Sequence, residues 1–334
     1  MSLTCRSGGL TLTVDAPRGL WRKRVAEAFA GQAMEGMPRT PTDIHVRVEL
    51  GAGPFPLDHM DPLTRGAWAG AGCVVMEDAC ASGLDLRIST DADCLAVVAR
   101  PRPRLSQRGL KLLAPARTQL LWRAALLQYP VLWWAGVKGG VPLHVSALTV
   151  NGEAVVLAGP GGVGKSTLMA EATRTGAQAV SDNLCVCFGS TLYGVLEPLR
   201  AEGGTGRRMP HGRRESVWTA RLERIEAGRI LVLCRGSESE VAMVPLRGAD
   251  AARVIAAGTY SAGELRRYWA FAATLALGTG LGPAHSPVVA CAGDLVRGMP
   301  CSMVQLPAIP GPGPADLIAV LGADGPGKQL PRGA

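Results

Sequence analysis

Between residues 42 and 50 the chain reads TDIHVRVEL, with Ile44, Val46 and Val48 alternating against His45, Arg47 and Glu49. That period of two belongs to a strand with one face buried. GLDLRIS (83–89) alternates likewise, CLAVVAR (94–100) supplies a third strand, and APRGLWRKRVAEAFAG (16–31) reads as a helix. PRPR at 101–104 breaks the pattern, and a helical region then runs to about Gly136. The apolar stretch QLLWRAALLQYPVLWWAGV (119–137) inside it is interrupted by Arg123, Gln128 and Pro130. It is too broken for a bilayer span and predicts a buried helix kinked at the proline.

From residue 140 the pattern changes. VPLHVSALTV and EAVVLAG read as two strands joined by a hairpin turn at Asn151-Gly152. A Gly-rich loop follows, then a helix KSTLMAEATRTG closed by Gly176, a short strand AQAV, and SDN at 181–183. RILVLCR (229–235) and VAMVPL (241–246) are further strands. Ser261 and Glu264 stand in capping-box spacing ahead of an apolar helix ending at Gly278. The fold class is therefore α/β. A β-rich α+β N-terminal domain spans 1–103, a helical connector 104–139, a second domain 140–310, and a Pro/Gly-rich tail 311–334.

With 334 residues and 47% hydrophobic content the chain can bury a large core. No charged start followed by a long apolar run opens it, so a cytoplasmic location is expected. Its nine cysteines include no C-x-x-C pair, and Cys185 and Cys187 alternate along a strand as buried thiols. The net charge of +8 suits anionic partners such as nucleotides.

The stretch GPGGVGKST (159–167) carries the chemistry. Gly159, Gly164, Lys165 and Ser166 satisfy G-x-x-x-x-G-K-[ST], with Gly161 and Gly162 adding backbone freedom around Val163. Such a loop turns successive N–H groups onto a phosphate, and the following helix points its positive end there. Lys165 would reach the β- and γ-phosphates of ATP and Ser166 would hold Mg²⁺, with Thr167 completing the loop. A strand entering and a helix leaving give the motif its required setting. Gly322, Gly327 and Lys328 match again in the tail, but Gln329 replaces Ser or Thr and no helix can follow.

Phosphoryl transfer to a hydroxyl needs a carboxylate near the γ-phosphate. Asp182, after the strand that follows the helix, falls at the carboxyl edge of the sheet, where ligands bind in α/β folds. His144 precedes the hairpin. Alone, His144 reads as a packed histidine and SDN as a plain turn; their joint occurrence around the loop favours a site.

The run LHVSALTVNGEAVVLAGPGGVGKSTLMAEATRTGAQAVSDN resembles the core of the HPr serine kinase/phosphorylase family and its shorter relatives. The resemblance implies a P-loop kinase core of the HPr kinase/phosphoenolpyruvate carboxykinase type. It also implies that Asp182 accepts the proton and that His144 assists near the transferred phosphate. The chain departs from the family in carrying Asn183 where a second acid is usual; an amide carbonyl can still ligate Mg²⁺. In place of the family's later glycine-containing signature stands LEPLRAEGG (196–204), offering Glu197 as a metal ligand and Arg200 as a phosphate contact. Relatives that phosphorylate ribosomally made precursor peptides, such as lasso peptides, fit better than those acting on HPr.

The expectation is an ATP- and Mg²⁺-dependent kinase acting on a Ser or Thr of a peptide or small protein. A kinase of free hydroxy amino acids and a P-loop ATPase switch are the rivals. Arg207, Arg208, His211, Arg213 and Arg214 read first as a solvated loop face, with docking of an anionic peptide or phosphate as the alternative. Aromatic residues are 4% of the chain and none interleaves this cluster, so no nucleic-acid partner is expected. No membrane partner is expected either, and homo-oligomerisation is compatible with the reading.

Overall fold

The computed structural model describes residues 2–35, 41–91, 93–103, 113–201, 204, 206–209, 213–218, 220–236 and 241–307. His211, the first part of the connector and the whole Pro/Gly-rich tail lie outside the described residues.

Among the described residues nine strands form the first sheet: β1 (Leu3–Ser7), β2 (Leu10–Asp15), β3 (Met34–Glu35), β4 (Ile44–Val48), β5 (Asp61–Thr64), β6 (Ala67–Gly70), β7 (Cys73–Met76), β8 (Leu84–Asp91) and β9 (Cys94–Pro101). Their order is β3-β1-β2-β4-β9-β8-β7-β6-β5, antiparallel except for the parallel pairs β2–β4 and β4–β9. The helix α1 (Leu20–Ala28) crosses between β2 and β3. In β4, Ile44, Val46 and Val48 are buried while Arg47 is exposed, as the alternation requires.

The apolar stretch after the connector is helical in three pieces: α2 (Pro115–Arg123), a π-helical turn over Ala124–Gln128, and α3 (Tyr129–Val137). The irregularity falls just before Pro130, which has no N–H to donate to the preceding turn. Every residue from Tyr129 to Gly136 is buried, so α3 is apolar all round and lies inside the protein. One apolar cluster joins Val14, Val46 and Val97 of the first sheet, Trp133 of α3, and Leu157 and Leu231 of the second sheet.

The remaining strands are β10 (Val141–Leu143), β11 (Ser146–Val150), β12 (Glu153–Ala158), β13 (Gln178–Ser181), β14 (Cys185–Phe188), β15 (Thr191–Gly194), β16 (Leu199–Ala201), β17 (Arg214–Ser216), β18 (Arg224–Glu226), β19 (Arg229–Arg235), β20 (Ala242–Pro245) and β21 (Cys301–Leu306). Six of them make the sheet β13-β11-β12-β19-β21-β20, whose central pairs β12–β19 and β19–β21 are parallel. The sheet β10-β14-β15-β18 and the pair β16-β17 flank it. The helix α4 (Lys165–Arg174) packs on one face of the six-stranded sheet against β11 and β13, with Leu168 and Met169 in the same apolar cluster as Leu157 and Leu231. On the other face α5 (Gly248–Ser261) and α7 (Val288–Leu295) bury Val156, Ala158 and Val232, while α6 (Tyr268–Thr279) packs on the first sheet. Burial on both faces explains why β12 and β19 read as continuous apolar runs. Cys185 and Cys187 are buried in β14.

Two expectations are corrected. VPLHVSALTV is not one strand: it breaks at His144-Val145, leaving β10 and β11 in different sheets. Ser261 does not cap a helix. It ends α5, the next helix starts at Tyr268, and Gly280 rather than Gly278 closes it with φ 70°. The segment between the two helices, with Glu264, turns into the site described next.

Candidate nucleotide site

Strand register brings the predicted residues to one edge. β11 and β12 pair Ser146 with Leu157 and Val150 with Glu153, so the start of β11, just after His144, lies beside the end of β12 that leads into the Gly-rich loop. The turn between them has φ 51° at Asn151 and 82° at Gly152, the left-handed pair a two-residue hairpin demands. β13 pairs Ser181 with Ala147, which places Asp182 beside Ser146, and the Ser146 hydroxyl donates to the Asp182 carbonyl at 2.6 Å. β13 and β12 are both antiparallel to β11, so Asp182 and the Gly-rich loop leave the sheet on the same side.

The loop between β12 and α4 depends on glycine. Gly159 has φ 143°, and a Cβ there would stand 2.7 Å from the Leu233 carbonyl oxygen. Beyond Gly161 and Gly162 the space is open. The Lys165 ammonium donates to the Gly159 and Pro160 carbonyls at 2.7 and 3.2 Å. Burial lowers the pKa of Lys165 to about 8, with Glu264 and Asp182 opposing that shift.

A cavity of about 810 Å³ opens in front of the loop. Gly161, Gly162, Gly164, Lys165 and Ser166 line one side of it, and His144, Asn183, Glu197 and Arg200 line its depth. Gly159 and Val163 lie behind that wall, Val163 packed in the core. Thr167 is turned to Arg213, whose guanidinium donates to its hydroxyl at 3.1 Å.

Three carboxylates gather around one guanidinium. Arg200 donates to Glu197 Oε2 at 2.9 Å and to Glu264 Oε1 at 2.7 Å, while its backbone N–H lies 3.4 Å from Asp182 Oδ2. Asp182 is only 1% exposed, just behind the cavity wall. Its pKa is raised to about 7, by burial first and by the neighbouring Glu197 charge second, with Arg200 opposing. Burial pushes Glu264 upward, but Arg200 more than reverses this and holds it at about 2. His144 donates through Nε2 to Asn183 Oδ1 at 3.1 Å, and burial together with Lys165 lowers its pKa to about 4. The imidazole is therefore neutral, with Nδ1 buried as an unpartnered acceptor.

Asp182 Oδ1 and Glu197 Oε1 are also buried without a hydrogen-bond donor. A buried carboxylate oxygen of this kind calls for a proton, a cation or a water molecule. Among the described residues no group of three His, Cys, Asp or Glu side chains could hold a metal by itself. The donor set fits Mg²⁺ bound through one or two carboxylates, the Ser166 hydroxyl and phosphate oxygens of a nucleotide. Asn183 directs its carbonyl at His144.

The sequence did not expose Glu264 or Gln128 as parts of this site, and it offered Arg213 only within the basic cluster whose first reading was a solvated loop face. Glu264 reaches it only because the chain turns between α5 and α6. Gln128 Nε2 comes within 3.5 Å of Glu197 Oε2 from the π-helical turn. Among the described residues no helix is long and apolar enough to cross a membrane.

No protein-family model matches the chain, and no curated protein matches it. Among solved structures the chain is similar to the HPr(Ser) kinase/phosphatase from Coxiella burnetii, at 17% identity and a TM-score of 0.20. The match covers 30% of this chain and 69% of that one. A likeness of that size carries neither fold nor activity, so function rests on the side chains of the site.

Proposed function

We propose that the chain transfers the γ-phosphoryl group of ATP to a Ser or Thr hydroxyl of a peptide or small protein, as an HPr kinase-like enzyme. The observation that supports this reading most is the pair of unpartnered carboxylate oxygens: Glu197 Oε1, on a residue lining the cavity fronted by the Gly-rich loop and Lys165, and Asp182 Oδ1, just behind the wall of that cavity. The loop amides and the α4 N-terminus receive the phosphates, and Lys165 exchanges its loop carbonyls for phosphate oxygens. Mg²⁺, when bound, would neutralise charge on the β- and γ-oxygens. Asp182 accepts the acceptor's proton as the acceptor oxygen bonds to the γ-phosphorus, and the bond from that phosphorus to the bridging oxygen breaks to release ADP. To meet the hydroxyl, Asp182 needs the Arg200 segment in front of it to shift, as catalytic contacts commonly tighten only on binding. His144, neutral and held by Asn183, offers Nδ1 as an acceptor beside Lys165.

The test is intact-mass spectrometry of a pool of Ser- and Thr-containing peptides incubated with the protein, ATP and Mg²⁺, beside Asp182→Asn. Gain of one phosphoryl group on a peptide, absent with the variant, supports transfer. ATP hydrolysis with no peptide modified would instead support a switch or ATPase.

A further inference from the structure

The cavity extends well past the loop, along one face of the helical wall. Arg117, Leu120, Leu121, Ala124 and Gln128 all line it. Those positions recur at helical spacing, so they form a single stripe. Gln128 marks the inner end, beside Glu197 and the carboxylate cluster, and Arg117 stands exposed at the outer end. Between them the half-buried Leu120 and Leu121 give the stripe an apolar middle. Arg213 and Arg267 also line the cavity. None of these three arginines has a carboxylate partner among the described residues, whereas Arg123 and Arg200 deeper in the fold are paired with glutamates.

We infer that this stripe is the docking track for an acidic peptide, with an Asp or Glu side chain meeting Arg117 and apolar residues covering Leu120 and Leu121. The geometry favours a peptide over a free hydroxy amino acid. From Gln128 to Arg117 the wall climbs eleven positions, roughly 15 Å at helical rise. A free amino acid holds its carboxylate within a few ångströms of its hydroxyl and cannot reach both ends. An extended chain, advancing about 3.3–3.6 Å per residue, spans that distance in about four or five residues. The acid should therefore lie about four or five positions from the reacting Ser or Thr. This depends on the proposed phosphoryl transfer only for naming the residue at the inner end.

Docking can be measured without turnover. The probes are fluorescein-labelled thirteen-residue peptides of Ala, Leu and Gly with a central Ser. A single Glu is stepped from one to six positions away on either side. Fluorescence anisotropy with the full-length protein should show the tightest binding at four or five positions on one side. An exposed ion pair makes this about two- to five-fold over a control peptide with Gln in place of that Glu. Arg117→Glu should reverse the preference, and a Lys peptide of the same spacing should regain the lost affinity on that variant. The thermal midpoint of the variant serves as the folding control. A flat response to Glu placement, or a Glu preference that survives Arg117→Glu, overturns the docking track. Phosphorylation of peptides regardless of acid placement would sink the track while sparing the kinase reading. Spacing-dependent binding with no phosphorylation would do the opposite.

Discussion

His144 Nε2 lies 3.1 Å from Asn183 Oδ1, so the imidazole is held by an amide and has no charge partner there. Burial and Lys165 keep it neutral. Asn183→Asp puts a carboxylate in hydrogen-bond contact with that ring, which favours the imidazolium. The His144 pKa should rise from about 4 towards the ordinary histidine range, and Mg²⁺ affinity in the presence of nucleotide should increase. Titration of the His144 ring signals by NMR checks the first effect, and calorimetry the second. A His144 pKa left unmoved would mean that the two side chains are not in contact in solution.

The pH profile follows from two shifted groups. Asp182 accepts a proton only when ionised, so kcat/KM should rise with pH through about 7. Lys165 holds phosphate as an ammonium, so in the free enzyme activity should fall as pH passes about 8. The expected curve is a narrow bell, with apparent values belonging to the coupled carboxylate cluster as a whole. Asp182→Asn should lower transfer about 10²–10⁴-fold and remove the rising limb, with ATP still bound. The same variant should be stabilised at alkaline pH. A carboxyl whose folded pKa is raised binds its proton more tightly in the native state, so stability falls as pH climbs from the unfolded value towards 7. Replacing it with an amide removes that loss. Steady-state kinetics and thermal melts at pH 6 and 9 measure both effects.

Local features of the site were readable because local chemistry makes them. Asn151-Gly152 sets its hairpin, and GPGGVGKST sets its loop between strand and helix, whatever surrounds them. The break at His144 was hidden because β10 and β11 are both buried, and an apolar run gives no sign that it changes sheets. Glu264 was misread for a related reason. Its spacing from Ser261 mimics a cap, while the contact that fixes its role comes from Arg200, 64 residues away. In the first sheet β5, β6 and β7 escaped notice because DPLT, AWAG and CVVM are short and lack a clean alternation. They are strands because β7 pairs with β8, β6 with β7 and β5 with β6, and because they lie under α6, a tertiary effect that overrides weak propensity.

Gly159→Ala tests the loop through its backbone. The residue sits at φ 143°, and the added methyl would meet the Leu233 carbonyl in the middle of the sheet. Strain of this kind costs about 1–3 kcal/mol, and the loop would have to move to relieve it. ATP affinity should drop at least ten-fold with a lowered thermal midpoint, whereas Lys165→Ala should lose ATP-dependent transfer without comparable destabilisation. Calorimetric titration and melting curves of both variants make the comparison. Equal ATP affinity in Gly159→Ala and the parent would mean that the loop does not bind phosphate.

Arg200→Gln removes the cation around which Asp182, Glu197 and Glu264 are arranged. Losing one side of a buried pair costs about 3–5 kcal/mol, and the lower end applies because Arg200 keeps some contact with solvent. The cost should depend on pH in a definite direction. Arg200 lowers the pKa values of Asp182 and Glu264, so without it both carboxyls hold their protons to higher pH in the folded state. Native protons then outnumber unfolded ones above about pH 4, and stability falls as pH rises. The deficit relative to the parent should already stand at pH 5, where Glu264 has lost the ion pair that held its pKa down, and should grow further by pH 8 as Asp182 adds to it. The rising limb of activity should move to higher pH, because Asp182 ionises later. Urea denaturation at the two pH values, with the kcat/KM profile of the same variant, reads both effects. A deficit identical at pH 5 and pH 8 would mean that Arg200 contributes packing alone and that the three carboxylates do not share its charge.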